Sequence, residues 1–213
     1  MKKKVAVIHT GPVTVEPIQK TFVSLASDLT VANIVDDSLL NDAMAEGRVT
    51  PKITQRMCWY FAAAEQLGAD AILNACSTVG EASDVAAQTV GIPVVKVDEA
   101  MARKAASMGE NIALIATVPT TVGPSTRLIE RCAREMGRNA AVKPTLCSSA
   151  FELLLKGDAA GHDRAVISEI EKAAKEADVV VLAQVSMARL LDLIDDPEAP
   201  VLASLRMGVE SVV

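Results

Sequence analysis

The sequence predicts an α/β fold built from two similar parallel-sheet halves. Three observations carry that expectation. Short apolar runs of strand length alternate with amphipathic stretches, the runs fall into two series, and the two series match each other at a nearly constant spacing. Buried strands alternating with helices give a parallel sheet covered on both faces.

The first series reads "KVAVIHT" (4–10), "LTVANIV" (29–35), "AILNAC" (71–76) and "IPVVKV" (92–97). The second reads "NIALIAT" (111–117), "KPTLC" (143–147), "VVVLAQ" (179–184) and "APVLAS" (199–204). Helical stretches lie between them, among them "ITQRMCWYFAAAEQLG" (53–68) and "TRLIERCAREMG" (126–137), the latter closed by Gly137 as a helix stop.

Thr10, Pro12 and Thr14 fall on Thr117, Pro119 and Thr121 at a spacing of 107. Ala69 falls on Ala177 and Cys76 on Gln184 at 108, and "IPVV" falls on "APVL" again at 107. Three matches at a nearly constant spacing point to an internal duplication. The expected halves are 1–98, joined by a C-terminal segment from about 199 to 213, and 99–198. In open parallel sheets ligands bind outside the carboxyl ends of the strands. Thr10, Cys76, Thr117 and Gln184 all stand at such ends. If the halves face each other about a pseudo-twofold axis, these positions converge on an active site in the cleft between them.

Composition narrows the function classes. In 213 residues, 50% are apolar and 23% charged, which suits a globular protein with a sizeable core. A net charge of −6 and 2% aromatic residues argue against nucleic acid, which needs clustered positive charge or stacking rings. No apolar run approaches the ~20 residues of a membrane span, and the run after "MKKK" is too short for a signal peptide. The expected location is therefore cytoplasmic, with no membrane partner. Four cysteines without CxxC spacing and two distant histidines suggest neither a metal site nor disulfides. No G-x-G-x-x-G, Walker A or G-x-S-x-G motif is present, so nucleotide cofactors and hydrolase nucleophile elbows lack support.

The stretch "AILNACSTVGEASD" (71–84) holds the leading candidate, Cys76. Thr78 and Glu81 have capping-box spacing, predicting a helix from about residue 79. Cys76 then stands just ahead of a helix N-terminus, where a thiol is expected to fall below its ordinary value of about 8.5. The other reading of the same spacing is a small buried side chain, since cysteine is among the most buried residue types. Cys58 and Cys132 lie in helical apolar patterns and read as core, as does Cys147 with less to support it. His9 and His162 form no recognisable triad. The threonines near Pro12, Pro17, Pro119 and Pro124 read either as turn and cap residues or as hydroxyls for a bound carboxylate.

With "VIHT" at the start, "NACSTVG" at a middle strand end, "IALIATVPTT" opening the second half and "DVVVLAQVSMARL" near the C-terminus, the chain resembles the aspartate/glutamate/hydantoin racemase superfamily. The resemblance spans nearly the whole chain. It implies a cofactor-independent enzyme working at the carbon next to a carboxylate, with one cysteine from each half facing the substrate. Cys76 matches the first cysteine. Where the family's second motif reads leucine, small residue, cysteine, this chain has Leu182, Ala183 and Gln184.

A carboxamide exchanges no proton near neutral pH, so ordinary two-base racemisation is in doubt. One thiol could instead protonate an enediolate left by decarboxylation, add to a double bond during isomerisation, or shuttle a proton on one face. The resemblance puts Cys76 and Gln184 in the catalytic role and Thr10, Asn74, Ser77, Thr78, Thr117, Thr120, Thr121 and Ser186 around a small carboxylate substrate. Asp36, Asp37, Ser148 and Ser149 are loop residues that could set side-chain preference, while Arg48, Lys52, Arg56 and Arg189 read as solvated helix charges or as holders of a second carboxylate. Two other classes stay open: a non-catalytic small-carboxylate binding protein, and a hydrolase with Cys76 as nucleophile and His9 as its base. Homo-oligomerisation is also left open.

Overall fold

The computed structural model describes residues 2–213, Leu155 by its backbone alone. The chain forms two compact units: one runs to Glu99 and takes in Leu205–Val213, the other is Ala100–Ser204. The first unit holds a parallel sheet of β1 (Lys4–His9), β2 (Thr30–Val35), β3 (Ala71–Asn74) and β4 (Val94–Lys96), in the order β2-β1-β3-β4. The second holds β5 (Asn111–Ala116), β6 (Ala141–Leu146), β7 (Val179–Leu182) and β8 (Val201–Ala203), in the order β6-β5-β7-β8. The fold is thus α/β with two similar halves.

The likeness extends to register. Val5 stands opposite Ala71 and Ile112 opposite Val179; Ile72 stands opposite Val94 and Val180 opposite Val201. These pairs are related by the 107- and 108-residue spacings seen in the sequence. Strand starts repeat as well. The Asp70 carboxylate accepts the Lys4 N–H at 2.7 Å, and the Asp178 carboxylate accepts the Asn111 N–H at 2.8 Å. Gly109 makes room for the second of these, because a Cβ there would lie 2.1 Å from that of Asp178.

One expected boundary moves. The strand in "APVLAS" pairs with β7, so it completes the second sheet, and only Leu205–Val213 returns to the first unit. The hydrogen-bonded ladder holds β8 with its neighbour, and the chain crosses after it. On that return, helix Ser204–Glu210 approaches Val97 so closely that a Cβ on Gly208 would lie 2.3 Å from the Val97 carbonyl oxygen.

The inner strands are buried on both faces, which is why they read as unbroken apolar runs. One core gathers Ala6, Ile8 and Ile72 with Leu39, Ile53, Met57, Phe61 and Val79; another gathers Ile115, Val180 and Leu182 with Val166, Ile170, Met187 and Leu190. Helix Pro51–Gln66 starts where Thr50 Oγ1 accepts the Ile53 N–H and Pro51 occupies the first turn. Helix Pro119–Glu135 begins seven residues before the expected 126, with Pro124 inside it, and is followed by Gly137 at φ 67°. Pro119 sits in its first turn, where a missing N–H costs nothing, so the turn residues around it join the helix.

Candidate active site

In the first unit two strand exits lie side by side. The Ala75 N–H, just past β3, donates to the Ile8 carbonyl of β1 at 3.0 Å, which brings Thr10 and Cys76 together. Cys76 has extended backbone and opens a 3-10 turn, Ser77–Val79, that runs into helix Gly80–Ala86. The thiol is half-buried. Burial pushes it above its ordinary value, while hydrogen bonds from the Thr10 hydroxyl, the Thr78 and Val79 backbone N–H groups and the Thr78 hydroxyl pull against that rise.

The expected lowering of the thiol is therefore reversed. The helix does start close to residue 79, but it is only seven residues long, and Val79 rather than Thr78 is its N-cap. A short helix end and its N–H groups do not offset the loss of water around the sulfur.

The side chains of Asn74 and Ser77, expected among the substrate-binding groups, are engaged by the protein itself. Asn74 Nδ2 donates to the Cys76 carbonyl at 3.0 Å, and its Oδ1 accepts the Cys76 N–H at 3.4 Å. The Ser77 hydroxyl donates to the carboxyl of Asp98. Sequence reading passed over Asp98, which follows the fourth apolar run as an ordinary acid would.

Both ring nitrogens of His9 are engaged by other side chains. Its Nδ1 is 2.7 Å from Thr14 Oγ1 and its Nε2 is 3.0 Å from Asn33 Oδ1. Burial lowers it from its ordinary value, so the ring is neutral. A carbonyl oxygen can only accept, so Nε2 carries the proton and Nδ1 accepts from Thr14. Neither nitrogen is then available as base to Cys76, and the hydrolase reading loses its partner.

In the second unit Thr117 and Gln184 form a closed pair. The Thr117 N–H donates to Gln184 Oε1 at 2.8 Å, and Gln184 Nε2 donates to Thr117 Oγ1 at 2.8 Å. A backbone N–H accepts nothing, so the orientation of the carboxamide is decided. Thr120 and Thr121 lie in the first turn of helix Pro119–Glu135, and Ser186 lies in the 3-10 stretch Val185–Leu193 that Gln184 caps. The expected site residues thus fall into two sets: Thr10, Asn74, Cys76, Ser77 and Thr78 in one unit, Thr117, Thr120, Thr121, Gln184 and Ser186 in the other.

Arg56 is no solvated helix charge. It binds Asp36, Ser38 and, at 2.6 Å, Asp42, while the Tyr60 hydroxyl also donates to Asp36. Arg189 pairs with Asp163 beside His162. Cys147 packs in the second core, and burial first, then the Glu169 charge, push it up to about 11. Among the described residues no group of three or more His, Cys, Asp or Glu is placed to hold a metal ion, and no helix is long and apolar enough to cross a membrane.

The family model described as Asp/Glu/Hydantoin racemase matches residues 24–212. The chain belongs to that family. As an Asp/Glu/hydantoin racemase family member it is a racemase-type enzyme by descent. No curated protein sequence matches it. Among solved structures, the glutamate racemase of Bacillus anthracis superposes with a TM-score of 0.71 at 19% identity, covering 100% of this chain and 81% of that one. The aspartate racemase of Picrophilus torridus gives 0.70 at 18% identity, over 99% of this chain and 92% of that one. The allantoin racemase of Klebsiella pneumoniae gives 0.68 at 16%, over 99% and 86%. At these identities the likeness to each racemase is one of fold.

Proposed function

We propose that this racemase-family chain is a cofactor-independent enzyme acting at the carbon next to the carboxylate of a small acid, with Cys76 as its acid/base. The observation that carries the reading is the donor set on the Cys76 sulfur: the Thr10 hydroxyl and the Thr78 and Val79 N–H groups. Donors gathered on one thiol stabilise the thiolate it becomes after giving up its proton.

Gln184 supports a single-thiol mechanism. Its carboxamide keeps one N–H beyond that given to Thr117, which can stabilise negative charge on a substrate oxygen but cannot carry a proton across. Burial keeps Cys76 protonated at neutral pH, which favours proton delivery over proton removal. Decarboxylation fits both features. In a malonate-type diacid the bond from the central carbon to one carboxylate breaks and carbon dioxide leaves, the bond's electron pair delocalises onto the remaining carboxylate as an enediolate, and Cys76 supplies the proton to carbon; the thiolate then regains a proton from solvent. Double-bond isomerisation by thiolate addition and one-face proton exchange need the opposite ionisation at the start.

The test is proton NMR in deuterated buffer with a panel of 2-substituted mono- and dicarboxylic acids, including malonates and maleate, with Cys76→Ala beside it. Carbon dioxide release that depends on Cys76 supports the reading as drawn. Cys76-dependent isomerisation or exchange keeps the enzyme and changes the reaction. No change in any compound removes it in favour of a small-carboxylate binding protein, the second reading that the raised thiol favours.

A further inference from the structure

We propose that Asp98 is a positioning residue for Cys76, acting through Ser77, as part of a polar brace built into only one of the two copied halves. The Val97 N–H donates to the Asn74 carbonyl at 3.0 Å, and this brings the next residue, Asp98, beside the turn that opens at Cys76. Asp98 is 4% exposed. Burial raises its carboxyl, against which the Ser77 hydroxyl and its own N–H donate; the charged groups that face it are Lys96 and Glu99. Lys96, 7% exposed, holds Asp84 of helix Gly80–Ala86 at 2.8 Å and lies 3.6 Å from Glu99. The turn is therefore gripped at its first residue by Asp98 and beyond its last by Lys96. Asn74 holds the Cys76 backbone from the strand side.

The duplication supplies an internal control. At the 107- and 108-residue spacings, Thr10 corresponds to Thr117 and Thr78 to Ser186, so both halves keep these hydroxyls. Asn74, Ser77 and Asp98 correspond to Leu182, Val185 and Leu205. The second unit makes the same strand exit and the same kind of 3-10 turn, capped by Gln184, with apolar residues at the first two of these places. The fold therefore has no general need of the brace. A buried acid costs stability unless its partners repay it. An acid present only behind the thiol points to the thiol. Its effect is to hold the turn so that the Thr78 and Val79 N–H groups stay aimed at the sulfur.

This inference rests on Cys76 being the reacting thiol, but its test needs no turnover. Iodoacetamide modification of Cys76 is followed by mass spectrometry from about pH 6 to about pH 10 in the full chain, in Asp98→Ala, Asp98→Asn and Ser77→Ala. Loss of the brace weakens the N–H bonds to sulfur, so in Asp98→Ala and Ser77→Ala the profile moves upward by about one pH unit, a roughly tenfold slower reaction at a given pH. Asp98→Asn keeps an oxygen for the Ser77 hydroxyl and keeps the profile. A profile unmoved in Asp98→Ala, with only a lower melting temperature, overturns the inference, as does an equal displacement in Asp98→Asn. Should Asp98→Ala fail to fold, Ser77→Ala reads the same link: a displaced profile upholds it and an unmoved one refutes it.

Discussion

Gln184 and Thr117 grip each other through two 2.8 Å hydrogen bonds, backbone N–H to carboxamide oxygen and carboxamide nitrogen to hydroxyl. The corresponding residues of the first unit, Cys76 and Thr10, share one, from hydroxyl to sulfur. The same two strand exits therefore present a thiol in one half and an oriented amide in the other. An amide so held is preorganised to donate, which is where transition-state stabilisation is largest.

Gln184→Ala removes that donor and is expected to lower kcat/KM by about a hundredfold, roughly 3 kcal/mol of transition-state stabilisation. Gln184→Cys restores the family's second thiol and is expected to bring deuterium exchange with loss of optical activity on a chiral substrate. Polarimetry and NMR on the same sample check both.

Burial raises Cys76 above its ordinary value, so the thiol is neutral at pH 7. The rate of its alkylation should therefore keep climbing through pH 9 without a plateau. Thr10→Val deletes one donor to the sulfur and moves the climb to still higher pH. A plateau below pH 8 in the parent protein would refute this assignment.

Asp36 gives a pH-dependent contribution to stability. Burial alone would raise its carboxyl, but hydrogen bonds from Ser38, Tyr60 and Arg56 and the guanidinium charge hold it at about 2 against an ordinary 3.8. Its side chain is 14% exposed, so the difference is worth about 2 kcal/mol. For a lowered carboxyl this stability is present above pH 3.8 and is lost as pH falls toward about 2. Asp36→Asn should unfold at lower urea than the parent at pH 7, and the gap should close across that acid window.

Gly208→Ala drives a Cβ to 2.3 Å from the Val97 carbonyl, a backbone atom that cannot swing aside. The expected cost is about 1–3 kcal/mol of stability, read as a lower melting temperature. Because Val97 precedes Asp98, Cys76 alkylation should change with it.

The inner strands β1, β3, β5 and β7 were legible because residues buried on both faces leave continuous apolar runs, and the duplication because whole motifs recur at a nearly constant spacing. Cys76 could be picked out since the end of a parallel strand is where chemistry collects. The sign of its shift could not, because it depends on how deeply the sulfur sits among Thr10, Thr78 and Val79. Asp98 gave no local signal either: one acid after an apolar run looks solvated until its partner, 21 residues earlier, is known. Pro124 misled for the reverse reason, since a strong local breaker was overruled by the packing of the helix around it.

The return of Leu205–Val213 to the first unit has a consequence for synthesis. Ala100–Ser204 is continuous in the chain, so its folding needs no segment from outside itself. The unit that carries Cys76, although its first residues are made earliest, is finished only when Gly208 settles against Val97. The surroundings of Cys76 thus depend on a segment far along the chain from it, which the unit Ala100–Ser204 does not need.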